Sequence, residues 1–145
     1  MSEIENFLSA SEEEAIVTAI RKAEKNTSGE IRVHIEANCQ NDVLEHAIEV
    51  FHYLKMDNTK DENGVLIYVA VNKRSFVIYG DKGINNAVSK DFWDTTRDRI
   101  FEHFKKGEFA QGLISGIESA GVELSKYFPW VHGDEDELDN SISKG

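Results

Sequence analysis

The chain has 145 residues, of which 40% are hydrophobic and 30% charged, and this length and composition predict one compact globular domain. Sixteen Lys and Arg residues against twenty-seven Asp and Glu give a formal net charge of −11. Such a charge repels nucleic-acid phosphates and anionic lipid heads, and it favours divalent cations. Cys39 is the single cysteine, which excludes an internal disulfide, a multi-cysteine zinc site and an iron–sulfur cluster held by one chain.

The amino-terminal segment is acidic and has no apolar stretch typical of a signal peptide. The longest apolar run, residues 65–71, is far shorter than the ~20 residues that span a bilayer. We therefore expect a cytoplasmic protein with no membrane or nucleic-acid partner.

The first predicted helix covers residues 11–26. Ser11 and Glu14 form a capping box at its start, and apolar residues then recur at helical spacing. From Glu30 the pattern changes to strict alternation of apolar and polar residues, which predicts a strand with one solvent-exposed face or at a sheet edge.

A second helix is predicted after Asp42, which can serve as its N-cap. Its core-facing stripe is Leu44, Ala47, Ile48, Phe51 and Leu54. Residues 65–71 are apolar on both faces, as in a central strand covered by helices. The short turn at residues 72–74 makes residues 75–79 its antiparallel hairpin partner.

Two further helical stripes follow, one from Trp93 to Phe104 and one from Phe109 to Leu124, separated by Gly107. We expect residues 1–129 to form a single domain and residues 130–145, rich in acidic side chains, to form a flexible tail. A strand, a crossover helix and a buried strand make a right-handed parallel unit. The predicted fold is thus an α/β three-layer α/β/α sandwich, with a small, mixed, mostly parallel sheet that includes one antiparallel hairpin strand.

Three loops of this fold should meet at one end of the sheet. They precede the first strand, precede the buried strand and follow the hairpin strand, and the directions of the strands place them together. Carboxylate, amide and carbonyl oxygens are the ligands that Ca²⁺ and Mg²⁺ take in proteins. The candidate metal ligands are Glu30, Asp57, Asp61, Asn63, Asp81 and Asp94.

Turn chemistry and helix capping are an alternative explanation for these residues, since Asp and Asn are common in both settings. The loop at residues 57–64 does not match the EF-hand pattern. At the opposite end of the sheet, Lys73 and Arg74 in the hairpin turn can either hold a phosphate or be solvated edge residues. The histidines lack the spacing of a helical zinc site, and Cys39 has no partner at motif spacing.

Four blocks carry a family resemblance. They are Thr27-Ser-Gly-Glu-Ile-Arg-Val33, Asn63-Gly-Val-Leu-Ile-Tyr-Val69, Tyr79-Gly-Asp-Lys-Gly-Ile84 and Phe104-Lys-Lys-Gly-Glu-Phe-Ala-Gln-Gly-Leu113. Together they resemble the TPM domain family, which includes a thylakoid-lumen acid phosphatase, a Psb-type photosystem repair protein and a nematode receptor modulator. The resemblance spans residues 7–128 and implies the same α/β sandwich.

The resemblance also implies function. It points to divalent-cation binding, chiefly of calcium, at positions matched here by Glu30, Asn63 and Asp81, and to the weak phosphatase activity of plant members. Asp81 and Lys82 depart from the Gly-Tyr-Gly-Leu-Glu often found in that block. The first hypothesis is a cytoplasmic cation-binding domain that takes Ca²⁺ or Mg²⁺.

Two alternatives remain open. One is a metal-dependent phosphomonoester hydrolase with Asp81 as the candidate catalytic carboxylate. The other is a non-enzymatic module that binds a protein partner through its acidic carboxyl-terminal residues.

Overall fold

The computed structural model describes residues 7–130 and 140–144. The elements, in chain order, are α1 (Ala10–Glu24), β1 (Glu30–Glu36), α2 (Val43–Tyr53), β2 (Gly64–Ala70), β3 (Ser75–Gly80), α3 (Lys82–Ala87), α4 (Asp94–Phe104), α5 (Phe109–Tyr127) and β4 (Ser143–Lys144). The strands form one sheet in the order β3-β2-β1-β4.

The register of the sheet confirms the predicted topology. β1 and β2 pair in parallel from Glu30 opposite Gly64, and β2 and β3 pair antiparallel from Val65 opposite Gly80. The predicted mixed sheet with one antiparallel hairpin strand is therefore present.

Helices cover both faces of the sheet, and β2 is therefore buried along its whole length. Ile67 lies on one face, in the main hydrophobic core with residues of α1, α4 and α5. Leu66 and Tyr68 lie on the other face and pack with Phe51 of α2. This arrangement is the predicted three-layer sandwich.

Two local predictions were wrong. The capping box of α1 is made by Ser9 and Glu12 rather than by Ser11 and Glu14, because both sequence pairs have the right spacing and only one lies where the helix begins. On α2, Leu44 is 50% exposed and Val50 is buried, so the buried face is rotated from the predicted stripe.

The alternation along β1 predicted either a solvent-exposed face or a position at the sheet edge, and in the structure the polar face is buried or partly buried. Glu30 and His34 are only 2% and 5% exposed. Helix α2 covers this side of the sheet, and β4 pairs along the outer edge of β1. The polar side chains of β1 therefore make contacts inside the fold.

The carboxyl-terminal prediction concerns residues 130–145. Residues 131–139 and 145 lie outside the described residues, so the flexibility expected of them stays a prediction. Ser143 and Lys144 pair in parallel with His34 and Ile35 of β1, a short strand that the acidic composition gave no reason to expect.

Candidate functional site

Three loops meet at the end of the sheet where β1 and β2 begin and β3 ends. The backbone N–H of Glu30 donates to the carbonyl of Asn63 at 3.3 Å, and that of Asp81 donates to the carbonyl of Gly64 at 3.0 Å. These two bonds join the loops before β1 and β2 to the loop after β3. The convergence predicted from topology is correct.

Asp81 is the most unusual residue of this end. Its side chain is at the N-cap of α3, where Oδ1 accepts from the backbone N–H of Lys82 at 2.8 Å. The residue is 4% exposed, and its buried Oδ2 has no hydrogen-bond partner among the described residues. A carboxylate oxygen enclosed without a partner is energetically unfavourable.

The surroundings of Asp81 disfavour its charged form. Burial is the largest cause that raises its pKa, and the carboxylates of Glu62 and Asp57 raise it further. The hydrogen bond from the Lys82 backbone and the Lys82 ammonium act in the opposite direction. The charged form of Asp81 is therefore disfavoured overall, although the Lys82 ammonium, which lies 3.8 Å from Glu62, supplies some opposite charge.

Asn63 lies at the start of β2, 2% exposed. Its Nδ2 donates to the hydroxyl of Ser28 at 3.3 Å, and its backbone N–H donates to Thr59 Oγ1 at 3.2 Å. These bonds fix the side chain between the first two loops. Because the amide nitrogen is already engaged, Oδ1 is the atom suited to a ligand.

The loop before β2 packs closely on the start of α3. Gly83 donates from its N–H to the carbonyl of Glu62 at 2.8 Å, and a Cβ at Gly83 would stand 2.2 Å from the carbonyl oxygen of Asp61. Glu62 adopts a left-handed backbone with φ of 50°. Because Gly83 has no side chain, this loop can pack against the start of α3, next to Asp81. From the sequence, the glycine indicated only a turn.

The six predicted ligands are not all brought together. Glu30, Asn63 and Asp81 are buried at the same end of the sheet. Asp61 is exposed, and exposed Asp57 bonds to Nδ1 of His52 at 3.1 Å.

Asp94 is exposed and pairs with Arg97 one turn along α4. Within residues 7–130 and 140–144, no group of three or more His, Cys, Asp or Glu side chains could hold a metal ion. A cation at this end of the sheet would therefore need amide and carbonyl oxygens as well as carboxylates.

A second polar cluster was missed by sequence reasoning. Oε1 of Glu36 lies 2.9 Å from Nε2 of His34 and 3.2 Å from Nε2 of His46. His34 also bonds through Nδ1 to the hydroxyl of Ser143 at 2.9 Å and stacks on Tyr68, with ring centroids 5.6 Å apart. The alternating polar residues of β1 were the only sequence sign of this cluster. A strand whose polar face is exposed to solvent has the same alternation, so the pattern could not distinguish the two cases.

A family model described as the TPM domain matches residues 2–122. The chain belongs to the TPM domain family. Among solved structures, this TPM domain is similar to the BA42 protein of the psychrophilic bacterium Bizionia argentinensis, determined by NMR, with 67% identity, full coverage of both chains and a TM-score of 0.93.

More distant structures share the fold of this TPM domain. The N-terminal domain of a protein from P. gingivalis has a TM-score of 0.70 at 19% identity, covering 84% of this chain and 79% of that one. The N-terminal domain of the cg2496 protein from Corynebacterium glutamicum has a TM-score of 0.65 at 14% identity, covering 91% and 81%. The search of curated proteins gave no match. Across the described residues, none of the helices has the length and apolar character that crossing a membrane requires.

Proposed function

We propose that this TPM domain binds a hard divalent cation, Ca²⁺ or Mg²⁺, where the loops before β1 and β2 meet the loop after β3. Asp81 and Asn63 would be side-chain ligands, with Glu30 at the same end of the sheet. The observation that supports this proposal best is the buried Oδ2 of Asp81, which has no hydrogen-bond partner among the described residues.

A cation would remove the electrostatic problem at Asp81. The carboxyl group is buried close to the negative charges of Glu62 and Asp57, and an ion bound to Oδ2 would add an opposite charge directly at the oxygen that has no hydrogen-bond partner among the described residues. Oxygen ligands from a carboxylate, an amide and loop carbonyls match the preference of Ca²⁺. The exposed carboxylate of Asp57, which bonds to Nδ1 of His52 through Oδ2, also raises the pKa of Asp81, and its Oδ1 would be a further ligand.

The proposal is tested by titrating EDTA-treated protein with Ca²⁺, with Mg²⁺ in parallel, while following backbone amide NMR shifts. Saturable shifts around residues 28–30, 61–64 and 80–83 are expected. Asp81→Asn keeps a capping side chain but removes the charge, and we expect the affinity to fall at least about tenfold. Asp98→Asn, an equal charge change at an exposed position of α4, is the matched control. Unchanged affinity in Asp81→Asn would refute the assigned site.

Phosphatase activity is suggested by the family resemblance, and the geometry favours it less. A nucleophilic or water-orienting carboxylate must reach the phosphate, whereas Asp81 is 4% exposed and its Oδ1 caps α3. Metal-dependent turnover of an aryl phosphate that is lost in Asp81→Ala would support it. The cytoplasmic location and a protein partner for residues 130–145 stay predictions.

A further inference from the structure

A cavity lies at the end of the sheet opposite to Asp81. It has a volume of about 650 Å³ and is bordered by the β2–β3 hairpin and the junction of α4 with α5. Five phenylalanines line it: Phe7, Phe76, Phe101, Phe104 and Phe109. Cavities of ~300–1,000 Å³ with mostly apolar walls and few polar groups are typical of small-molecule sites.

The aromatic rings form a continuous wall around Phe104. Its ring centroid is 5.4 Å from that of Phe76 and 5.3 Å from that of Phe109, both edge to face, and Phe7 lies 4.4 Å from Phe109. Phe101 is 57% exposed at the mouth. These contacts preform an apolar surface suited to an aliphatic chain or an aromatic ring.

The charge at this cavity is opposite to that of the chain. The whole sequence has a net charge of −11, yet the charged residues that line the cavity are Arg74 and Lys105, with no Asp or Glu among the lining residues. Lys105 pairs with Glu102 at 3.1 Å. None of the ion pairs formed within residues 7–130 and 140–144 includes Arg74.

The hairpin turn fixes the backbone of Arg74, whose side chain is exposed. Its backbone is left-handed, with φ of 48°, and its N–H donates to the carbonyl of Val71 at 3.2 Å. A guanidinium forms two-pronged hydrogen bonds with carboxylates. An apolar wall beside an unpaired arginine is complementary to a molecule with an apolar body and a carboxylate head.

We propose that this cavity binds a small amphipathic carboxylate, whose aliphatic or aryl part packs on the phenylalanines and whose carboxylate pairs with Arg74. The site is distinct from the cation site. Neither the sheet nor the core requires an arginine at position 74, and binding of a carboxylate would give this side chain a function.

The test uses 4-phenylbutanoate and its uncharged analogue 4-phenyl-1-butanol, titrated into the full chain and followed by amide NMR shifts. We expect saturable shifts confined to residues 69–76 and 101–109, with the carboxylate binding more tightly. Arg74→Gln should weaken the carboxylate about tenfold or more and leave the alcohol unchanged, since only the charge-assisted bond is lost. Arg97→Gln, the same change on the exposed face of α4, should alter neither.

A second variant separates the apolar contribution. Phe101→Ala removes an exposed ring, so the fold should tolerate it, and both probes should bind more weakly by a similar factor. The absence of saturable shifts, or equal carboxylate affinity in Arg74→Gln, would overturn the proposal. So would shifts of the same residues that depend on protein concentration without any probe, because they would assign the cavity to a second copy of the chain.

Discussion

Asp81 is a buried carboxylate and Glu36 a partly buried one, and the surroundings of the two differ. Oε1 of Glu36 lies within hydrogen-bond distance of Nε2 of both His34 and His46. Since an ionised carboxylate only accepts, both imidazoles are assigned a proton at Nε2. At Asp81, Oδ1 accepts one backbone N–H and the buried Oδ2 accepts none from the described residues.

The difference separates a structural cluster from a candidate binding site. The Glu36 carboxylate has two imidazole partners, and that cluster joins β1 to α2 and, through Ser143, to β4. Nδ1 of His46 and the hydroxyl of Tyr68 have no hydrogen-bond partner among the described residues, but neither atom carries a negative charge. The loops around Asp81 leave its Oδ2 without a hydrogen-bond partner among the described residues, and a bound cation would interact with that oxygen. Burial of charge is therefore a sign of function only where the protein does not supply the partner itself.

The largest expected effect comes from Gly83→Ala, which would disturb the packing of the loops around Asp81. The new Cβ would lie 2.2 Å from the Asp61 carbonyl, so the loop must move, at a cost of about 3 kcal/mol in the free energy of unfolding. Gly80→Ala is the control, because its Cβ would meet only Ile84 at an ordinary 3.4 Å. Urea denaturation measures both variants; equal stability would contradict the described loop packing.

Glu36→Ala should have the next largest effect. It leaves Nε2 of His34 and of His46 without their acceptor, which should lower the free energy of unfolding by about 2 kcal/mol. Glu49→Ala, at an exposed position of α2, should change it little. In a double-mutant cycle with His34→Ala, the double variant should lose less free energy of unfolding than the sum of the losses in the two single variants. Additive losses would mean that the cluster is not a unit.

The two regions should also respond oppositely to pH, and His34 is the more sensitive. Burial lowers the pKa of His34 below 6.5, against the raising effect of Glu36. The unfolded chain therefore binds a proton more readily than the folded chain. The stability from this group is complete above pH 6.5 and is lost as the pH falls through the folded-state pKa.

Denaturation between about pH 5 and 7 measures the effect, and His34→Gln should reduce the slope. Arg32 and His46, whose charges lower the pKa of His34 further, must be left intact. An unchanged slope in His34→Gln would show that other groups set the pH response.

Asp81→Asn should have the smallest effect on stability. Burial raises the pKa of Asp81 above 3.8, so the folded state gains stability from this group as the pH falls from neutral towards 3.8. In cation-free buffer at neutral pH the variant should be as stable as the natural chain or up to about 1 kcal/mol more stable. Added Ca²⁺ should stabilise the natural chain only. A marked loss of stability without cation would instead make Asp81 a purely structural cap.

The fold could be predicted largely because its signals are local. Residues 65–71 are apolar on both faces, and the short turn after them leaves only a hairpin. Strand direction then placed Asn63 and Asp81 at one end without any knowledge of side-chain contacts. The burial of His34 could not be predicted in this way, because it depends on how α2 packs against the sheet.

Strand β4 has a consequence for how this domain behaves in a crowded solution. Ser143 and Lys144 occupy backbone positions beside His34 and Ile35, and Lys144 forms an ion pair with Glu13 of α1. An uncovered outer edge of β1 would offer its free amides and carbonyls as a template for strands of other molecules. Ser143 and Lys144 cover this edge at the positions of His34 and Ile35 and so shorten the part of β1 that is open to such pairing.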